Sequence, residues 1–162
     1  MAVLKLHLDE FDEVDYDLIA IHSSLEDYRL SYFINQTLPV HLNKSKDEVG
    51  ILVREGEAFF PKFTYDDQAH DIQWCLIPNQ TDIATASQER RTGLFGTTDW
   101  EVHRKVHLIS ELRHVDYFLK IENNHNYFPV SEIVAGLKSV ERISTVYAVD
   151  PQTIKSKNNL IF

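Results

Sequence analysis

The chain has 162 residues, 43% of them hydrophobic and 25% charged, which is ordinary globular usage with enough apolar material for one core; a single domain over 1–162 is expected. Twenty-five acidic against 16 basic residues leave a formal charge of −9 with no basic stripe, a surface that repels phosphate backbones, so nucleic acid is not expected as a partner. Cys75 is the single cysteine, which rules out an internal disulfide and fits a reducing compartment; no run approaches the length of a membrane span, and a cytoplasmic location is expected.

Residues 2–8 alternate, with Leu4, Leu6 and Leu8 against Lys5 and His7, and read as a strand rather than as the apolar core of a signal peptide. Asp9 to Asp17 then carries six carboxylates in nine positions. The glycine and ligand spacing of a calcium loop are missing, so it reads as a solvated connection. Leu18-Ile19-Ala20-Ile21 is a continuous apolar run, consistent with a buried strand. Ser23 with Glu26 has the form of a capping box and opens a helix over 24–37, with Leu25, Tyr28 and Tyr32 on one face, Phe33 and Ile34 widening it, and Pro39 ending it. Val40 and Leu42 suggest a short strand.

The middle reads as an antiparallel meander. Val49 to Arg54 is apolar, Glu55-Gly56 is a turn signal, and Glu57 to Tyr65 places Phe59, Phe63 and Tyr65 at alternating positions, with Pro61 arguing for an edge. After the turn at Asp66-Asp67, Ile72, Trp74 and Leu76 alternate up to Pro78. Residues 79–98 are polar and small, with Gly93 and Gly96; a loop is expected there, with one helical turn near 87–91. Asn35-Gln36-Thr37 and Asn79-Gln80-Thr81 match the glycosylation acceptor pattern, which in a cytoplasmic protein is chance. Trp100, Val102, Val106 and Leu108 alternate with polar residues and suggest another strand. His103, His107 and Glu111 are spaced four apart. On a helix they would share a face fit for zinc, but on the strand that the pattern favours, the two histidines lie about 13 Å apart. No metal and no cofactor is expected.

Val115, Tyr117, Leu119 and Ile121 then alternate with Asp116, Lys120 and Glu122, with Phe118 the exception: a strand with one face on a core. A helical arc of Leu112, Val115, Phe118 and Leu119 is the alternative, but it leaves Tyr117 and Ile121 on the polar side. Ile109-Ser110-Glu111, three further residues, and Val115-Asp116-Tyr117 resemble the signature of an uncharacterised bacterial family named for an Ile-Pro-Glu-x-x-x-Val-Asp-Tyr motif, the IPExxxVDY family, with Ser110 in place of the proline. Asp27-Tyr28-Arg29-Leu30 with Ile34-Asn35, and Lys155-Ser156-Lys157 with Asn159 to Phe162, also look like that family, so the likeness spans nearly the whole chain. The resemblance implies a small cytoplasmic protein and names no activity.

Asn123 to Asn126 is a turn, Ser131 with Glu132 opens a helix over 130–141 striped by Val130, Ile133, Val134, Leu137 and Val140, and Ile143 to Val149 closes the fold as a strand. Asp150-Pro151 begins an ordered turn, and Ile154 with Leu160-Ile161-Phe162 argues for a docked final segment; the competing arrangement adds it to the edge of a second copy, giving a homodimer. Val14-Asp15-Tyr16 and Val115-Asp116-Tyr117 each lead into strand, helix and strand, as in two βαβ-like units joined by a meander.

The fold expected is therefore α+β, a mostly antiparallel sheet with two helices on one face. Glu111, Asp116 and Tyr117 are the candidate binding residues. The two carboxylates form an acid/base pair if a dry pocket raises one pKa; otherwise Glu111 bonds backbone amides at the turn and Asp116 is a polar-face residue. Cys75 has no cationic neighbour in sequence and is expected to pack. No nucleophile elbow, phosphate loop or dinucleotide fingerprint occurs. The expected function is a non-enzymatic binding or interaction module with a protein or small-molecule partner; the alternative is a small-molecule or enzymatic site assembled around Glu111 and Asp116.

Overall fold

The computed structural model describes residues 15–86 and 101–162. The strand expected at 2–8, most of the acidic run and the helical turn expected at 87–91 lie outside the described residues. The fold is α+β. In chain order the elements are β1 (Tyr16–Ser23), α1 (Asp27–Thr37), β2 (Asn43–Lys44), β3 (Val49–Val53), β4 (Gly56–Phe60), β5 (Phe63–Asp67), β6 (Ile72–Pro78), β7 (Gln80–Ala86), β8 (Glu101–His107), β9 (Tyr117–Glu122), α2 (Val130–Lys138) and β10 (Ile143–Val149). Single 3-10 turns follow at Pro151–Thr153 and Lys157–Leu160, and another sits inside the signature at Ser110–Leu112.

Six strands form the main sheet in the order β10-β1-β9-β6-β5-β2, and every pairing is antiparallel. Since β1 runs against both β9 and β10, those two strands run parallel to each other with β1 between them. The unit β9-α2-β10 is thus a split βαβ. By the same reasoning β1 and β2 run the same way, joined through α1 and separated by three strands.

Both helices cover one face. Leu30 and Ile34 of α1 and Ile133 and Leu137 of α2 pack on Ile19, Ile21, Trp74, Leu76, Leu119 and Ile121. The other face is also covered, which the strand pattern of 115–122 did not suggest. Val49, Ala58 and Phe60 of the β3–β4 hairpin, Val106 of β8, and Leu108, Ile109, Ile154 and Leu160 close over Leu18, Ala20, Ile77 and Phe118. Phe118, the exception to the alternation, is therefore a core residue of the second face, and Val115 belongs there too. The strand β9 is buried on both faces from Tyr117 to Ile121.

Four local expectations differ from the structure. The β3–β4 hairpin is a sheet of its own, because Pro61-Lys62 breaks the chain between β4 and β5. Gly56, at φ 139°, lets the two-residue Arg54-Glu55 turn close that hairpin. Residues 80–86, read as loop, pair with β8 from Gln80↔His107 to Ala86↔Glu101; Thr81, Ile83 and Thr85 give them a β-branched character that their polarity obscures. Neither helix is capped as expected. The N-cap of α1 is Glu26, which makes no side-chain cap bond, while the Ser23 hydroxyl accepts from the Leu25 amide (3.2 Å) and donates to the Arg142 carbonyl (2.9 Å). The helix α2 starts at Val130 behind Pro129, so Ser131 lies inside it. No helix among the described residues is long and apolar enough to cross a membrane.

Candidate functional site

The signature folds around a residue outside it. Asn79 is fully buried at the end of β6. Its side-chain amide donates to the carbonyls of Leu112 (2.8 Å) and Val115 (3.0 Å), and its side-chain oxygen accepts from the Ile109 amide (2.8 Å). Its backbone donates to the Asp116 carbonyl and accepts from the Leu108 amide. One side chain thus holds three backbone groups of the turn: the Leu112 carbonyl, which also accepts from the Val115 amide (3.0 Å), and the Val115 carbonyl and Ile109 amide, which it pairs inside the protein. Sequence reading missed Asn79, because a lone asparagine after Pro78 looks like any turn residue.

Each candidate residue is held by a different neighbour. The Glu111 carboxylate accepts from the Ser156 amide and hydroxyl, both at 2.7 Å, and so ties the final segment to the signature. Partial desolvation pushes its pKa up, but the hydrogen bonds from Ser156 and Ser110 outweigh it and hold the carboxyl down at about 2. Asp116 accepts from the Ser23 amide at 2.9 Å, closing the irregular end of β1. Tyr117 is 8% exposed and donates to the Leu25 carbonyl at 2.6 Å, fixing the entry to α1. Burial, reinforced by Asp27, Asp116 and Glu26, pushes that phenol up to about 12. The three side chains serve three separate junctions and do not line the cleft described next.

That cleft, of about 240 Å³, opens at the end of the sheet on the face away from the helices. The register builds its floor in two rows. Thr64, Cys75 and Lys120 pair across β5, β6 and β9, and Asp66, Gln73 and Glu122 do so one step along. Lys120, expected on a solvent face, is 2% exposed. Its ammonium pairs with Glu122 (2.7 Å), donates to the Leu160 carbonyl (2.5 Å) and lies 5.0 and 4.4 Å from the ring centres of Tyr16 and Phe162. Those partners offset a desolvation cost of several kcal/mol for a buried ion. Burial pushes the Cys75 thiol up to about 11 against the pull of Lys62 and Lys120, so it stays protonated and inert. Lys120 and Glu122 of the floor are thus paired with each other, with Phe162 over the lysine.

A second surface lies on the outer side of α1. Tyr28 and Tyr32 are each 57% exposed. Beside them Leu25, Arg29, Tyr32, Phe33 and Arg142 line a shallow groove of about 380 Å³ whose lining holds two cations and no carboxylate. Glu26 and Asp27 stand beside Tyr28, so the cationic character is confined to the groove's own lining. Of the expected apolar face, Ile34 is buried with Leu30 and Ser31, and Leu25 and Phe33 pack partly on the core, whereas Tyr28 and Tyr32 point outward. Among the described residues no three His, Cys, Asp or Glu side chains come together as a metal cluster. No protein-family model matches the chain, and no curated protein or solved structure matches it either.

Proposed function

We propose that the chain is a non-enzymatic binding module that docks a protein partner on the outer face of α1. The observation that carries this is the pair of tyrosines, each 57% exposed, beside an apolar groove rimmed by Arg29 and Arg142. Aromatic and arginine side chains are the residue types that dominate binding energy at protein interfaces. A partner segment with apolar side chains flanked by carboxylates fits that groove. The carboxylates available for acid/base chemistry support the same reading, since Glu111 and Asp116 are spent on backbone amides. This reading goes with the resemblance to the IPExxxVDY family and with a cytoplasmic location, without nucleic acid or membrane as partner.

Quantitative affinity purification tests it. Tagged wild type and an Arg29→Glu, Tyr32→Ala variant of equal stability are compared from the same cells. A protein recovered with wild type and lost with the variant supports the proposal; an identical set of co-purifying proteins contradicts it. The second reading is a small-molecule site at the Lys120 cleft, favoured by the buried ammonium beneath Phe162. A small molecule released on denaturing the purified protein, and absent from a Lys120→Met variant, would favour that reading.

A further inference from the structure

Beyond the module reading, a second chemistry lies at the β10–β1 edge, on the face of the sheet away from the helices. Tyr147 of β10 pairs with Ala20 of β1, and His22, two residues on, shares its face as a diagonal neighbour. The register shifts between His22 and Ser23, a bulge of the kind that re-aims a side chain. The signature turn brings in His114. It is set there by the Asp116 amide donating to the Ile21 carbonyl (3.2 Å) and by the Asp116 carboxylate accepting from the Ser23 amide (2.9 Å). The two imidazole rings end 5.5 Å apart and tilted by 31°. Tyr147 Oη lies 3.1 Å from His22 Nε2 and 3.5 Å from His114 Nε2.

Those two separations bracket the edge of a tetrahedron. Ligands bonded to zinc at about 2.0–2.1 Å sit about 3.3–3.4 Å from one another. We propose that His22, His114 and Tyr147 bind one divalent transition-metal ion, of which zinc is the representative. The imidazoles bind in their neutral form through Nε2. The phenol binds as phenolate, its proton leaving to solvent as the ion enters. His22 and Tyr147 are half-buried on paired strands, and His114 is exposed, which gives rigidity and an entry path. Three protein donors leave the fourth position to water or to a partner's donor group. Sequence spacing gave no sign of the site, because His22 and Tyr147 are 125 residues apart and His114 and Tyr147 are 33 apart. It departs from the expectation that no metal binds.

The test is calorimetric titration of the full chain, without a histidine tag, with zinc chloride. One ion per chain is expected. His114→Ala changes only an exposed side chain and should weaken binding by at least the 10–100-fold typical of losing an outer-shell partner. His22→Gln should do the same. Tyr147→Phe should lower both the affinity and the number of protons released per ion, read from titrations in buffers of different ionisation enthalpy. A His103→Ala, His107→Ala variant should titrate as wild type. No saturable binding, or binding unchanged in His114→Ala, or binding lost in the His103, His107 variant, would each overturn the proposal.

Discussion

Glu111 shows how a residue type can be read correctly while its partner stays hidden. Its place in a turn suggested backbone bonding, but Ser156, 45 residues on, could not be named from the sequence. The carboxyl drops from its ordinary 4.5 to about 2 on folding, so its stabilising contribution is full above pH 4.5 and is lost as pH falls toward 2. Glu111→Gln should therefore cost about 1 kcal/mol at neutral pH, after allowing for solvent screening of an exposed group. The deficit should shrink on acidification below pH 4.5, as measured by urea unfolding across pH; a constant deficit contradicts the bond to Ser156. Asn79 is the stronger case. Asn79→Leu would leave the Val115 carbonyl and the Ile109 amide without their partner, at about 1–3 kcal/mol each, while the Leu112 carbonyl keeps its bond from the Val115 amide. Urea unfolding should show a loss of about 2 kcal/mol or more, and a loss under 1 kcal/mol would contradict its role as organiser of the signature.

At the scale of elements, alternation identified β6, β8 and β9 because apolar side chains recur every second residue there, and a continuous apolar run identified β1. It failed at 80–86, where a two-stranded hairpin needs no continuous apolar face, and it hid the second covered face of β9. Polar Lys120 occupies a buried position only because Glu122, the Leu160 carbonyl and two aromatic rings surround it, partners that no local pattern announces. Leu119→Ala should cost about 2–5 kcal/mol as a packed core truncation. Lys120→Met, close in volume, should stay within about 1.5 kcal/mol of wild type, since a buried ion pair is seldom better than an apolar replacement. A large loss in Lys120→Met would show that the ammonium is needed for stability. The final segment docks as expected through Ile154 and Leu160, but Ile161 is 68% exposed and Phe162 covers the lysine rather than entering the core. Deleting residues 159–162 removes Leu160, a side chain whose burial alone is worth about 1.5–3 kcal/mol, so the melting temperature of the monomer should fall. An unchanged melting temperature contradicts docking onto the chain's own sheet, and a dimer turned into monomers would mark the segment as an interface.

Over the whole molecule, the fold class was legible because hydrophobic periodicity and turn signals act locally. The candidate surfaces were not, because each assembles from distant segments: the groove joins α1 to Arg142, and the cleft joins β5, β6 and β9 to Phe162. The central claim is that α1 presents Tyr32 and the groove to a protein partner. The most direct measurement replaces Tyr32 with a photo-crosslinking phenylalanine analogue in the native cells, with the same analogue at the equally exposed Tyr127 on another part of the surface as the control. One discrete crosslinked protein is expected from position 32, abolished by Arg29→Glu, and none of that mass from position 127. No light-dependent product from position 32, or the same products from both positions, would contradict it.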